Sequence, residues 1–343
     1  MDISFDRFPL LVQTPHAHAW LTIQRNLGLA PNTIATYGWA LEDYLAFCAR
    51  CQVEASAASR EHIAAYVRDL TLRPRRSNRS SVSTGCANAT LQLRLTAVRL
   101  FHDYLIEEGI RSHNPVGRGR YTPGKTIPGP GERGLIPRYR RLPWIPSDEE
   151  WSAILAAARV EPLRNRVMLA IAYGSALRRE ELCSLRTEDV DPARRLLRIR
   201  PETTKNRQER VVPYSAAIGT LYAAYLEHRR SLSHERGPLF LSESHRNRAA
   251  AVSIWTWTKV VQSIAERSCV RHLTTHAFRH LCLTDLARMG WDVHEIAAFA
   301  GHRSPQTTLL YIHLSGRELA AKLENGMAKI HAWRVAMAAE VLR

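Results

Sequence analysis

Four separated stretches of the chain hold side chains that together could act on a phosphate ester. The first is Tyr173-Gly-Ser-Ala-Leu-Arg178-Arg-Glu-Glu181-Leu-Cys-Ser-Leu185, followed by Thr187 to Asp191. The second is Thr204-Lys205, followed by Glu209-Arg210-Val-Val-Pro213. The third is Thr275-His276-Ala-Phe-Arg279-His280, and the fourth runs from Gly301-His302 to Tyr311-Ile-His313. Cutting a phosphodiester with a protein nucleophile requires a hydroxyl placed at phosphorus. Tyr311 supplies one, and a phenol leaves more readily than an aliphatic alcohol, so the covalent step is easily reversed. Charge gathers on the non-bridging oxygens in the transition state. Arg suits that charge because it stays protonated and binds phosphate through two N–H groups, and Arg178 and Arg279 fill the role. His276 and His302 can add hydrogen bonds or move protons near neutral pH. The departing oxygen needs a proton, for which Lys205 in its turn is the candidate donor. The set requires no metal, and no cofactor is expected.

Each residue also has a plainer reading. Arg178 could be one more surface arginine, Lys205 an ordinary turn lysine and Tyr311 a packed aromatic. Against this, Arg178 comes directly after the apolar stretch Val167–Leu177, which would hold it near the interior. Glu181 lies one helical turn on and can pair with it as structural support. Ser304 and Pro305 would start a short helix that presents Tyr311. His280 and His313 are read as supporting residues beside the chemistry.

Taken in order, Arg178, Lys205, His276-x-x-Arg279, His302 and Tyr311, with the last two nine residues apart, closely resemble the tyrosine recombinase family, the phage-integrase-like site-specific recombinases. The resemblance covers Ser147 to Ser315. It implies that Tyr311 attacks a DNA phosphate, leaving a 3′-phosphotyrosyl link and a free 5′-hydroxyl, and that the 5′-hydroxyl of a partner duplex then resolves the link. Bond energy is conserved, so neither ATP nor a cofactor is consumed. The implied partners are double-stranded DNA recombination sites and further copies of the chain, a homotetramer on two synapsed duplexes, with integration of a mobile element as the leading role. Two alternatives remain: a type IB topoisomerase, which shares the chemistry without exchanging partners, and a non-catalytic DNA-binding protein on the same fold. Two features depart from the family. Ala176 stands where many members have Gly, and the segment between the domains is long and rich in Pro and Gly. The stretch Gly316 to Arg343 reads as an amphipathic helix through Leu319, Leu323, Met327 and Ile330, and the resemblance implies docking on a neighbouring protomer.

The elements that must position these residues can be read from periodicity. Residues 16–109 look helical throughout. One helix is expected over Pro31–Arg50, one over Arg60–Leu72 and one over about Ala87–Glu108, each with an apolar stripe at helical spacing. This part, 1–110, resembles a helical core-binding domain. Residues 111–145 hold six prolines and six glycines in 35 positions, which excludes a helix or a central strand and predicts an extended linker. The domain 146–343 opens on a Ser147/Glu150 capping box ahead of a helix to Arg159. Another helix is expected over Leu163–Leu177, and strands over Arg195–Arg200 and Glu209–Val212 flank a polar turn. The fold class is therefore mainly α with a small β-sheet, a helical N-terminal domain followed by an α+β catalytic domain.

Charge agrees with a polyanion as partner. Lys and Arg number 48 against 32 Asp and Glu, a net charge of +16 in 343 residues. Eight basic residues and one acid fall in the linker, among them Arg138, Arg140 and Arg141. Four arginines, Arg73, Arg75, Arg76 and Arg79, lie in the loop after the second helix, where a solvated loop and a phosphate contact are both open readings. An RNA-binding module is disfavoured, since no aromatic-rich sheet motif occurs.

Three further patterns are read as chance. Gly119 to Thr126 matches GxxxxGKT, and Gly129 to Gly134 matches GxGxxG. Neither comes after a strand or opens a helix, and Pro128, Pro130 and Pro137 prevent a regular helix beyond them. Cys48-Ala-Arg-Cys51 lacks a second ligand pair for zinc, and Cys48 belongs to an apolar helix stripe. Six unevenly spaced cysteines, no apolar run long enough to span a bilayer and no basic leader point to a cytoplasmic, nucleoid-associated protein without membrane attachment.

Overall fold

The computed structural model describes residues 5–74, 85–116, 135–136, 139, 142–204, 206–314 and 316–341, with backbone alone for 312–314, 316–323, 335 and 338–341. The chain divides into two compact units, Met1–Arg141 and Leu142–Arg343.

The first unit is helical: α1 (Pro9–Gln13), α2 (Pro15–Asn26), α3 (Pro31–Arg50), α4 (Arg60–Leu72) and α5 (Asn88–Glu107). Pro at the first position starts α1, α2 and α3, where its missing N–H costs nothing. The Ser59 hydroxyl caps α4. The helices expected over 31–50 and 60–72 are found with those bounds, and the third is one residue shorter at each end. The short α1 is an addition to the expected elements, because five residues carry too little periodicity to announce a helix. Its Phe8 anchor packs so close to α3 that a Cβ on Gly38 would come within 2.6 Å of the ring. Trp20, Leu41, Tyr44, Tyr66, Val98 and Phe101 fill the core, and Cys48 is buried there, as its place in the stripe predicts. Val116 joins this core, and Leu135 and Ile136 pack against it. They belong to the segment expected as linker, most of which, with both glycine motifs, lies outside the described residues.

One carboxylate ties three helices of this unit. Asp43 on α3 accepts hydrogen bonds from Tyr66 (2.8 Å) on α4, from Arg94 (2.6 Å) on α5 and from Arg73 just past α4. Arg73 also pairs with Asp69. The structure thus gives this member of the arginine loop intramolecular partners, while Arg75, Arg76 and Arg79 lie outside the described residues.

The second unit begins with α6 (Asp148–Ala158), α7 (Leu163–Gly174) and α8 (Arg179–Cys183). The expected capping box is present: the Ser147 hydroxyl accepts from the Glu150 N–H, and the Glu150 carboxylate accepts from the Ser147 N–H. An antiparallel sheet of order β1-β2-β3 comes next, with β1 (Val190–Asp191), β2 (Leu196–Ile199) and β3 (Arg210–Pro213). Leu197 stands opposite Val190 on one side and Val212 on the other, and Leu197, Ile199 and Val212 point into the core. The two expected strands are found within one residue of their predicted limits. The two-residue β1 is too short to carry an alternation and is a further addition.

Helices α9 (Ala216–Leu232), α10 (Ile254–Arg267), α11 (Ala277–Arg288), α12 (Val293–Ala300), α13 (Leu309–Leu314) and α14 (Gly316–Val341) complete the unit. A large core is built from α6, α7, α9, α10 and the sheet. A smaller buried cluster joins Ala176, Cys282, Leu283, Ala287, Ile296, Ala300 and Tyr311, so the candidate nucleophile is part of a packed interior. The tail is helical as expected, and its described apolar residues Met327, Ile330 and Trp333 are exposed. Among the described residues no helix is long and apolar enough to cross a membrane.

The Asp43 hub yields a test. Asp43→Asn keeps the size but removes the charge that two guanidinium groups share, and is expected to lower stability by about 2 kcal/mol in urea unfolding of the full chain. An unchanged midpoint would show that the hub is screened by solvent and holds nothing.

Candidate active site

Arg178 precedes the first residue of α8, and Glu181 lies one turn into that helix. The Glu181 carboxylate caps its own helix, accepting the Arg178 N–H (2.9 Å) and an Arg178 guanidinium N–H (2.7 Å). Its two oxygens also accept a bidentate pair from Arg210, the first residue of β3, at 3.0 and 2.7 Å. The carboxylate is fully buried. Burial alone would raise its pKa. The hydrogen bonds and charge of Arg210, with those of Arg178, instead hold it down at about 2.

The arginines are completed by backbone carbonyls at helix ends. Arg178 donates to the Gly301 carbonyl (3.2 Å), and Arg210 donates to that of Phe299 (3.3 Å). Arg279 on α11 is 2% exposed and donates to the carbonyls of Ala176 (2.5 Å) and Ala300 (2.6 Å). Phe299, Ala300 and Gly301 end α12, and Ala176 lies just beyond α7. The negative ends of two helix dipoles therefore face the guanidinium groups. Burial, followed by repulsion from Arg178, lowers the Arg279 pKa to about 10, which leaves it charged at neutral pH.

Two backbone positions make this possible. Gly301 terminates α12 at φ +63°, and a Cβ there would come within 3.0 Å of the Arg210 guanidinium. Ala176 holds φ +47°, a left-handed conformation that L-residues adopt at some cost and glycine adopts freely. The sequence departure at this position thus has a physical meaning. The backbone retains the turn that aims the carbonyl at Arg279, although the residue is not Gly.

The histidines line the other side. His276 directly precedes α11, and its ring meets that of His280, one turn on, edge to face at 5.2 Å. His302 comes after Gly301, and its Nδ1 pairs with the buried Thr308 hydroxyl at 2.9 Å. Its ring lies parallel to that of Tyr311, with 6.0 Å between centroids. The expected start at Ser304 and Pro305 is present as a single 3-10 turn ahead of α13, which carries Tyr311. Tyr311 is 3% exposed, and its hydroxyl stands 3.0 Å from His280 Nδ1. Burial raises the phenol pKa, while Arg279 and then Arg178 pull it back. Burial, then Arg279 and Arg178, lower His302 to about 3, and burial, then His276 and Arg279, lower His280 to about 4. His276, the most exposed of the three, is lowered by burial and then by Arg279.

Arg178, Glu181, His276, Arg279, His280, His302 and Tyr311 are thus brought to one site. Lys205, Arg138, Arg140 and Arg141 lie outside the described residues, and His313 is described by its backbone alone, on α13. A cavity of about 150 Å³ beside the site is lined by Thr204, Asn206 and Arg210 from the β2–β3 region and by Gly301 and His302. Sequence reasoning gives no role to Arg210, although it flanks the Lys205 turn. Nor does it find Asn206, which donates to the Gly301 carbonyl (3.3 Å), Thr308, or the Tyr173–Asp285 hydrogen bond (2.9 Å) that joins α7 to α11. These partners lie 6 to 112 residues apart along the chain, and their meeting is set by tertiary packing. Among the described residues no group of three or more His, Cys, Asp or Glu is set to hold a metal ion.

The site thus gathers two arginines of the sequence motifs, a third arginine and three histidines around a tyrosine hydroxyl, a set whose charge suits a phosphate ester. Residues 146–318 match the Phage integrase family, and residues 19–109 match the Phage integrase, N-terminal SAM-like domain. The chain belongs to the phage integrase family of tyrosine recombinases. A tyrosine recombinase XerC of Herpetosiphon aurantiacus is 28% identical over 300 residues, covering 87% of this chain and 89% of that protein. A XerC of Mycobacterium tuberculosis is 28% identical over 251 residues, covering 71% and 78%. Among solved structures, the XerH site-specific recombinase in a post-cleavage complex with palindromic difH substrate has a TM-score of 0.65 at 19% identity, covering 92% of this chain and 85% of that one; this is a likeness of fold.

The electrostatics can be tested in two ways. Glu181→Gln leaves Arg178 and Arg210 without their buried counter-charge and is expected to cost about 3 kcal/mol of stability in urea unfolding; a loss under about 0.5 kcal/mol would contradict the clamp. The second test concerns pH. The histidines are lowered in the folded state, so below about 6.5 the unfolded chain binds more protons than the folded one. Their contribution is complete above that pH and is lost as pH falls toward 4, and Glu181 extends the loss from 4.5 down to about 2. The Tm of the DNA-free protein should therefore drop between pH 7 and pH 5, and the drop should shrink in the His280→Gln/His302→Gln double variant. A Tm that held or rose at pH 5 would contradict this reading.

Proposed function

We propose that this chain is a site-specific DNA recombinase that cuts and rejoins duplex DNA through a 3′-phosphotyrosyl link to Tyr311, acting as the integrase of a mobile element in the bacterial cytoplasm, at the nucleoid. One observation carries the reading: a buried tyrosine hydroxyl shares a pocket with Arg178, Arg279, His276, His280 and His302, with a single buried carboxylate balancing the guanidinium groups. Such a pocket attracts a phosphodiester and supports charge on its non-bridging oxygens. Tyr311 attacks phosphorus, the 5′ oxygen departs, and Lys205 protonates it. The 5′-hydroxyl of a second duplex reverses the step. Because the phosphoryl bond is exchanged and not hydrolysed, no nucleotide cofactor enters.

The remaining parts of the proposal concern assembly. The helical unit, 1–110, acts as the core-binding domain. The segment 111–145 is a basic linker that, with Arg75, Arg76, Arg79, Arg138, Arg140 and Arg141, lies along the phosphate backbone. The domain 146–343 performs the chemistry, and its tail docks on a neighbouring protomer in a tetramer on two duplexes. The net charge of +16 supports a polyanionic partner.

The test uses a library of nicked duplexes of randomised sequence, from which a covalently captured strand cannot be religated. Wild-type protein should form an SDS-stable adduct enriched in one sequence, and Tyr311→Phe should form none. An adduct of equal yield with Tyr311→Phe would refute the nucleophile.

A further inference from the structure

Tyr311 must lose its proton to attack, and Arg178, Arg279 and Lys205, all cationic, cannot take it. Water is poorly placed to do so, since the residue is 3% exposed and packed among Ala176, Cys282, Leu283 and Ile296. Among the described residues, the histidine hydrogen-bonded to the Tyr311 hydroxyl is His280. His302 stacks on the Tyr311 ring and spends Nδ1 on Thr308. His276 meets His280 edge to face. His280 differs in that its Nδ1 stands 3.0 Å from the Tyr311 hydroxyl oxygen, within the range for direct proton transfer. The contact joins α11 to α13, and the two rings lie at 35° with centroids 5.7 Å apart.

We propose that His280, beyond a supporting role, is the catalytic base that accepts the Tyr311 proton; this rests on Tyr311 being the nucleophile. In the step, the phenol O–H breaks and its proton moves to Nδ1, giving an imidazolium. The phenolate oxygen bonds to phosphorus, the P–O5′ bond breaks, and the 5′ oxygen takes a proton from Lys205. In the reverse step the imidazolium returns its proton to the departing phenol. Nδ1 must present a lone pair, so the ground-state proton resides on Nε2.

The surroundings suit this cycle. His276 just ahead of α11, Arg279 on it and Arg178 ahead of α8 are the charged and titratable groups that act on the His280–Tyr311 pair, and His302 after α12 faces the Tyr311 ring. Burial first, and then the charges of His276 and Arg279, keep His280 neutral and able to accept while the site is empty. A bound phosphodiester adds a negative charge to the same pocket, which favours the imidazolium once it forms.

The experiment compares wild type, His280→Asn, His280→Gln and Tyr311→Phe on nicked duplex captured from the library, and on the same duplex with a bridging 5′-phosphorothiolate, whose leaving group needs no proton. Asn places an oxygen near the Nδ1 position, so it keeps a hydrogen-bond acceptor but cannot carry the proton, and Gln serves if Asn perturbs folding. With Tm within a few degrees of wild type, the His280 variants should cleave about 100-fold or more slowly at pH 7 on both substrates. The deficit should shrink with rising pH, as hydroxide takes over the deprotonation. Lys205→Ala should be rescued by the phosphorothiolate and the His280 variants should not. Cleavage by His280→Asn within about threefold of wild type, a pH-independent deficit, or rescue by the phosphorothiolate would overturn the assignment. Adduct formation by Tyr311→Phe would instead overturn the nucleophile on which it rests.

Discussion

The Glu181 carboxylate, buried between Arg178 and Arg210, lets three guanidinium groups share one pocket. A phosphate site needs concentrated positive charge, and gathering such charge inside a protein opposes folding. Here one carboxylate offsets two of the arginines, and the carbonyl ends of α7 and α12 receive hydrogen bonds from all three. The pocket keeps a net positive charge, because three cations face one anion and partial dipole charges. That surplus is what a phosphodiester would complete.

The same contacts set the geometry. Arg178 and Arg210 come from a helix start and a strand start far apart in the chain, and Glu181 joins them. Gly301 can take three roles at once, terminating α12, accepting from Arg178 and Asn206 and leaving room for Arg210, because it has no side chain. Tyr311 packs beside these contacts, with His302 on its face and His280 at its hydroxyl. The position of the Tyr311 hydroxyl is therefore set by packing in the buried cluster beside the arginines. Charge placement at the site rests on one buried ion network, and the proposed binding of phosphate would draw on it.

Much of this is legible in the sequence. Apolar periodicity and local start signals mark three of the five helices of the first unit to within a residue, because those signals are local. Three of the motif pieces name residues that the structure gathers, because their order and spacing are particular, while Lys205 of the remaining piece lies outside the described residues. What escapes is tertiary. Arg210 reads as one more basic residue at a strand end, and nothing nearby says that it reaches Glu181. His280 reads as a supporting residue because its motif neighbours look sufficient; its 3.0 Å approach to Tyr311 depends on how α13 packs on α11. Ala176 looks like a minor departure, and only its φ of +47° shows what the position demands. Arg73 counts toward a basic loop; Asp69 is its local partner four residues back, but Asp43 comes within its reach only once α3 and α4 are packed.

The most direct test of tyrosine attack is to identify the covalent bond. Protein trapped on nicked DNA can be trimmed with nuclease and digested with trypsin, and the peptide Ser304–Arg317, which contains one tyrosine, sequenced by mass spectrometry. The predicted product is a nucleotide joined through its 3′-phosphate to Tyr311. A nucleotide on Ser304, Thr307, Thr308 or Ser315, or one joined through a 5′-phosphate, would contradict it.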